Sequence, residues 1–285
     1  MASILVVGGT GLVGSVVVRA ARARGHEVRS ISREIPASSS PRFVPDVDYR
    51  ACDLYHATQH QLGENLQGVD IVIDCLNGVS HVAQAVFRVG AAQITDAAAQ
   101  SSVSRIVVVS DVGCDQSDFA YYEAKTDQEA VYLDSAVPTT VVRFTVVFEQ
   151  LWSIAQSAAR FRVIPTSERA QLQPIDVAEI AEVIVDAVGD AGPDEIRSYG
   201  GPEIASVRAL SQQWLAHTGR RAVLVPVPLV FAIGRYLRSG VNIVPESRRG
   251  RTTWQEWMNR TAPPQVPTST CGPSPAPNGH EPSAA

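Results

Sequence analysis

The sequence predicts an α/β fold: a doubly wound parallel sheet with a small C-terminal substrate lobe. Three observations predict it. Short apolar runs alternate with longer helical patterns through the first half of the 285 residues. A glycine-rich loop, Gly8-Gly9-Thr10-Gly11-Leu12-Val13-Gly14, joins the first apolar run to the first helical pattern. Aromatic residues make up only 6% of the chain while Val, Ala and Ile abound, which suits buried parallel strands better than an aromatic-rich sandwich.

In chain order, Ser3–Val7 reads as a buried strand and Leu12–Arg24 as a helix closed by Gly25. Val28–Ser32, Val47–Cys52 and Ile71–Cys75 are further strands. A long helix is expected over Val79–Ser101, then the strand Arg105–Val109, a helix after Tyr121, and the strand Thr139–Phe144. Strands separated by helices of this length form right-handed crossover units. In the second half Asp176 is a helix cap for Ala178–Val188. The strand Ile196–Tyr199, the helix Val207–Thr218 and the strand Val223–Val225 follow. Residues 1–260 are read as one domain, with the lobe drawn mainly from 145–175 and 196–260. Residues 261–285 hold seven of the 18 prolines and little apolar periodicity, so a disordered tail is expected there.

The formal net charge of -5 argues against a nucleic-acid surface, and Arg248-Arg249-Gly250-Arg251 reads as a solvated loop. Cys52, Cys75, Cys114 and Cys271 form no CxxC pair, and no His cluster has metal-ligand spacing, so no metal is expected. Reduced thiols and the lack of a signal-like or membrane-length apolar run place the expected protein in the cytoplasm, off the membrane.

The loop has the strand-before, helix-after context of a Rossmann-type dinucleotide fingerprint. Gly8 permits the tight turn, Gly11 opens the helix to a pyrophosphate, and Gly14 lets helix and strand approach. Thr10, Leu12 and Val13 complete the predicted cradle. The second strand ends in Ser32-Arg33, where an Arg accommodates a 2′-phosphate, so NADP(H) is favoured over NAD(H). Glu34 beside it is the competing ribose ligand, and a merely solvated Arg33 is the bland reading. Asp53-Leu54 ends the third strand and Leu76-Asn77-Gly78 the fourth, both where open α/β sheets bind ligands. Asp53 reads as an acceptor for the adenine amino group or, equally well, as a helix cap, and Leu54 as an apolar side chain packed on the adenine ring.

These residues, with Val107-Val108-Val109-Ser110, Tyr121-Tyr122-Glu123-Ala124-Lys125, Val142-Arg143-Phe144-Thr145, Gln173-Pro174-Ile175-Asp176-Val177, Gly201-Pro202-Glu203 and Thr253-Trp254-Gln255-Glu256-Trp257, resemble the NmrA-like atypical short-chain dehydrogenase/reductases. The resemblance covers nearly everything before the Pro-rich tail. It implies that the Tyr121 hydroxyl protonates a carbonyl oxygen, while Lys125 lowers the Tyr121 pKa and binds the nicotinamide ribose. Helical i,i+4 spacing puts the two on one face, although Tyr122 at i,i+3 is also in reach. Ser110 is the hydroxyl available as the third member. Related enzymes often place it one or two positions later, where this chain has Asp111 and Val112. The resemblance implies an NADPH-dependent oxidoreductase for a small, apolar carbonyl or conjugated substrate. A non-catalytic NADP(H) sensor and a non-redox isomerase or cyclase are the alternatives on this fold. Trp152 reads as pocket wall or core, while His81 and His217 read as structural or exposed. Substrate identity and oligomeric state are not written in these residues.

Overall fold

The computed structural model describes residues 1–190, 192–228 and 230–260. The tail of 261–285, with its expected disorder, lies outside the described residues. The first half runs β1 (Ser3–Val7), α1 (Leu12–Ala23), β2 (Glu27–Ser32), β3 (Asp48–Ala51), α2 (Gln59–Leu66), β4 (Ile71–Asp74), α3 (His81–Ala99), β5 (Arg105–Asp111), α4 (Ala120–Leu133) and β6 (Thr139–Phe144). The second runs α5 (Phe148–Ala159), β7 (Val163–Thr166), β8 (Gln171–Leu172), α6 (Val177–Asp186), β9 (Glu195–Tyr199), β10 (Ala205–Ser206), α7 (Val207–Thr218), β11 (Val223–Pro226), α8 (Ala232–Ser239) and α9 (Trp254–Arg260).

Seven parallel strands form the main sheet in the order β3-β2-β1-β4-β5-β6-β9. The order reverses between β1 and β4, where a crevice opens at the carboxyl ends of the strands. Alternate side chains of each strand enter opposite layers. Ile4, Val6, Ile73, Val107 and Val142 meet Val17 and Val18 of α1 and Ile180 and Ile184 of α6. Leu5, Val7, Val72, Ile106 and Val108 meet Leu62 of α2, Ile94 of α3 and Tyr132 of α4. Both faces are covered, which is why these strands read as continuous apolar runs instead of alternating ones.

One boundary differs from the sequence reading. The strand at 195–199 is not part of the lobe but the last strand of the main sheet, paired with β6 from Thr140–Glu195 to Phe144–Tyr199. Its preceding helix, α6, packs beside α1 and returns the chain to the open edge of β6. Asp176 caps α6 as expected, accepting from the Ala178 amide at 2.9 Å.

The lobe is built on Phe148, Trp152, Trp214, Trp254 and Trp257. Trp152 is buried among the other three indoles, so it is core. Parallel β7–β11 and antiparallel β8–β10 pairs brace this cluster. Gln173 ties lobe to sheet: it donates to the Gly201 and Val244 carbonyls and accepts from the Val244 amide at 2.7 Å. At the first turn of α5, Glu149 sits beneath α9 with its Oε2 buried and without a hydrogen-bond partner among the described residues. Burial pushes its carboxyl up to about 7, helped by the nearby Asp176 charge and opposed by hydrogen bonds from its own backbone and Trp257.

The folded state therefore binds the Glu149 proton more tightly than the unfolded chain does. Its contribution to stability is present below pH 4.5 and is lost as pH rises toward about 7. Glu149→Gln is expected to flatten the fall in unfolding free energy across that window, as read by urea melts at each pH.

Candidate active site

The crevice begins at the loop after β1. Gly8 adopts φ +73°, the left-handed region that favours glycine. A Cβ on Gly14 would stand 2.3 Å from the Gly8 carbonyl oxygen and 2.9 Å from Gly9 Cα. Only hydrogen fits there, so α1 starts against the strand it follows. Gly11 is the N-cap and offers no side-chain acceptor, and no acidic residue stands in the first turn. The opening amides of α1, at Leu12, Val13 and Gly14, thus form a positive helix end without a built-in anionic partner. The Thr10 amide donates to Ser32 Oγ at 3.2 Å, linking this loop to the end of β2.

Arg33 and Glu34 both follow Ser32 at the end of β2, and both are exposed. The sequence reading missed Arg42. Its guanidinium reaches back across 32 residues to donate to the Thr10 carbonyl at 2.6 Å. No local pattern connects those two positions; the connection is made by the excursion between β2 and β3.

The third-strand end differs from expectation. Leu54 is buried in the core against α3, where it and Leu76 are the neighbours a Cβ on Gly90 would meet, so it is not displayed to a ring. Asp53 remains exposed, and its Oδ1 accepts from the Tyr55 amide at 3.1 Å in the turn after β3; it caps no helix, since Thr58 is the N-cap of α2. Leu76 and Asn77 continue from β4 at the crevice floor, with Asn77 exposed.

Tyr121 and Lys125 do share one face of α4, and both are buried. Each is held by hydrogen bonds within the protein. The Tyr121 hydroxyl lies 2.9 Å from Asp111 Oδ2 and 3.0 Å from Asn77 Oδ1. Lys125 Nζ donates to the Val109 carbonyl at 2.7 Å, to Gln128 Oε1 at 2.7 Å and to the Leu76 carbonyl at 3.4 Å, and lies 5.0 Å from the Phe87 ring centroid. An ammonium has three protons, and all three are engaged within the protein. The expected lowering of the Tyr121 phenol is therefore reversed: burial and the adjacent Asp111 raise it well above the usual 10. Tyr122 stands aside, its ring 4.3 Å from that of Tyr236, whose hydroxyl donates to the Val112 carbonyl.

Ser110 is the clearest correction. It is buried on the α4 face of β5, with Oγ 3.7 Å from Cys114 Sγ. Cys114 continues to Glu129, which grips Arg143 at 2.6 and 3.0 Å. The pleat turns successive side chains to opposite faces, so Ser110 points away and Asp111 meets the phenol. Burial also raises the Asp111 carboxyl, while Lys125 and the Tyr121 hydrogen bond pull it down.

Beneath these groups lies a buried network that no local pattern announced. Asp74, fully buried, accepts from the Leu76 amide at 2.8 Å and from Gln128 Nε2 and the Tyr132 hydroxyl at 2.7 Å each. Gln128 then passes the contact to Lys125. The segment carrying Asn77 is thereby held at both its Leu76 amide and its Leu76 carbonyl. Among the described residues no group of three or more His, Cys, Asp or Glu side chains converges as a metal site, and no helix is long and apolar enough to cross a membrane.

Comparison with known proteins agrees with this architecture. Residues 8–191 match the family described as NAD(P)H-binding. An uncharacterised chloroplastic protein of Arabidopsis thaliana is 26% identical over 215 residues, covering 66% of this chain and 71% of that protein. An Escherichia coli NADPH-dependent quinone oxidoreductase, solved with NADPH, superposes with TM-score 0.74 at 16% identity, covering 90% of this chain and 98% of that one. A nucleoside-diphosphate-sugar epimerase of Staphylococcus aureus superposes with TM-score 0.72, also at 16% identity, covering 90% and 99%.

Gly14→Ala tests the cradle. Its methyl has no space against backbone atoms, so the variant is expected to lose about 1–3 kcal/mol of stability and most of its NADPH affinity, read by chemical denaturation and fluorescence titration.

Proposed function

Since the chain belongs to the NAD(P)H-binding family, on an atypical short-chain dehydrogenase/reductase fold, we propose that it is an NADPH-dependent oxidoreductase for a small, apolar carbonyl or conjugated substrate. The observation that carries this reading is the Tyr121 hydroxyl, set between Asn77 and Asp111 at the carboxyl ends of β4 and β5. The loop fits a dinucleotide: a side chain at Gly14 would fill the approach, and the open amides of α1 suit a pyrophosphate. Arg33 and Arg42 are the cations available to a 2′-phosphate. Bound NADPH supplies hydride to the substrate carbon. Tyr121 then gives its hydroxyl proton to the substrate oxygen, and Asn77 and Asp111 orient that hydroxyl. Val79, Val82, Phe119 and Phe231 are exposed apolar side chains at or just before the first turns of α3, α4 and α8, which supports an apolar substrate.

A second reading, a dinucleotide sensor without chemistry, draws on one observation: the Lys125 ammonium is committed to three protein acceptors and does not touch Tyr121.

Two measurements separate these readings. NADPH is expected to bind at least about tenfold more tightly than NADH, since a charged hydrogen bond contributes roughly 1.5–3 kcal/mol and 1.4 kcal/mol is tenfold. Arg33→Ala and Arg42→Ala should each erode that preference, and equal affinities in the parent protein would remove the 2′-phosphate assignment. Tyr121→Phe is expected to lower kcat by about 10²–10⁴ with NADPH affinity unchanged. Full activity in that variant would sink the proton-donor role, and an absence of NADPH oxidation by the parent protein would favour the sensor.

A further inference from the structure

We propose that Asp111 carries a proton in the resting protein and is the reservoir that reloads Tyr121 after each proton transfer to substrate. The proposal deepens the reductase reading and rests on it for the transfer step. Its basis is a count of protons. The Tyr121 hydroxyl has one hydrogen, yet its oxygen lies 2.9 Å from Asp111 Oδ2 and 3.0 Å from Asn77 Oδ1. An ionised Asp111 and the Asn77 carbonyl oxygen are both acceptors only. One hydrogen serves two such acceptors only as a shared three-centre bond, which weakens both contacts and sets lone pair against lone pair at whichever acceptor the hydrogen leaves. A protonated Asp111 resolves the conflict: its Oδ2–H donates to the phenol oxygen, and the phenol donates to Asn77. Turning the Asn77 amide end for end is the competing way to supply the missing proton, and the experiment below separates the two.

The surroundings favour the neutral carboxyl. From α4 it faces Tyr121, Tyr122, Lys125 and Glu129, and from α8 Tyr236. Lys125 is the one cation among these groups, and its three protons go to Val109, Leu76 and Gln128. Glu129 adds negative charge, although Arg143 offsets it through their ion pair. Burial first, and Glu129 with it, push the Asp111 carboxyl up against the pull of Lys125 and Tyr121.

The steps balance. The Tyr121 O–H bond breaks as an O–H bond forms on the substrate oxygen, leaving the electron pair on the phenolate. The Asp111 O–H bond then breaks and its proton restores the phenol. Water returns one proton to the carboxylate per turnover, matching the hydride that the reduced nicotinamide delivers to carbon. A neutral Asp111 also spares the nascent phenolate a second negative charge at hydrogen-bond distance.

The test uses the full chain without cofactor, in a Glu149→Gln background because Glu149 also titrates near neutrality. Infrared difference spectra are recorded as pH is raised stepwise from the ordinary carboxyl value near 4. A protonated-carboxyl band is expected to persist above that value, to be lost only at higher pH, and to be missing from Asp111→Asn. Its absence from the parent spectra overturns the proposal and leaves the rotated Asn77 amide. In the second arm, NADPH oxidation is followed with phenanthrenequinone as probe. The rate should fall as pH rises through the same transition. Asp111→Asn should lose that pH limb and at least tenfold in kcat, on the order of a lost acid–base partner, with NADPH affinity intact. Asp111→Ser should recover part of kcat without recovering the limb. An unchanged limb in either variant overturns the reservoir role. A carboxyl band without any NADPH oxidation overturns the reductase reading and the reloading step, while the resting proton on Asp111 stands.

Discussion

The contact between Gly14 and the Gly8 carbonyl is the constraint on which the crevice depends. It brings the first turn of α1 against the loop after β1 with no side chain between them there, and so sets the free amides of the helix at the crevice. A helix end of this kind carries partial positive charge only within its first turn. Its usefulness therefore depends on approach distance, which the two glycines set. Ser32 binds the loop from one side, and Arg42 clamps it from the other.

The second organising feature is charge buried below the crevice. Asp74 and Lys125 never touch directly; Gln128 stands between them, and Leu76 is gripped by both. A buried charge is tolerated when its lone pairs or protons are all answered. Here that requirement also fixes the peptide leading to Asn77, and through it the orientation of the Tyr121 hydroxyl. The lysine here holds backbone and Gln128 in place, and the phenol above it meets Asp111 instead.

That exchange of roles follows from one step along β5. Ser110 and Asp111 are adjacent in sequence and opposite in space, because a strand's side-chain period is two. The hydroxyl enters the layer of Cys114, Glu129 and Arg143, while the carboxyl enters the crevice. A carboxyl differs from a hydroxyl in that it can store a proton, and its storage range is set by burial and neighbouring charge. The same position thus changes the proton chemistry while leaving the geometry of the tyrosine in place.

Sequence alone determined the layered α/β sheet, the succession of strands and helices through β6, the glycine-rich loop and the placing of Tyr121 and Lys125 on one helix face. These are properties of local spacing: apolar runs, helical periodicity and residues that only one backbone shape accommodates. Tertiary structure decided what lies beyond local spacing. It moved 195–199 from the lobe into the main sheet, because an open edge on β6 was available to it. It sent Leu54 into the core, brought Arg42 to Thr10, and exchanged Ser110 for Asp111 beside the phenol. It also committed Lys125 to the carbonyls of Leu76 and Val109. The physical reason is common to all five: burial and hydrogen-bond partnership are decided by neighbours distant along the chain or by the phase of a pleat, and neither is encoded in the identity of a single residue.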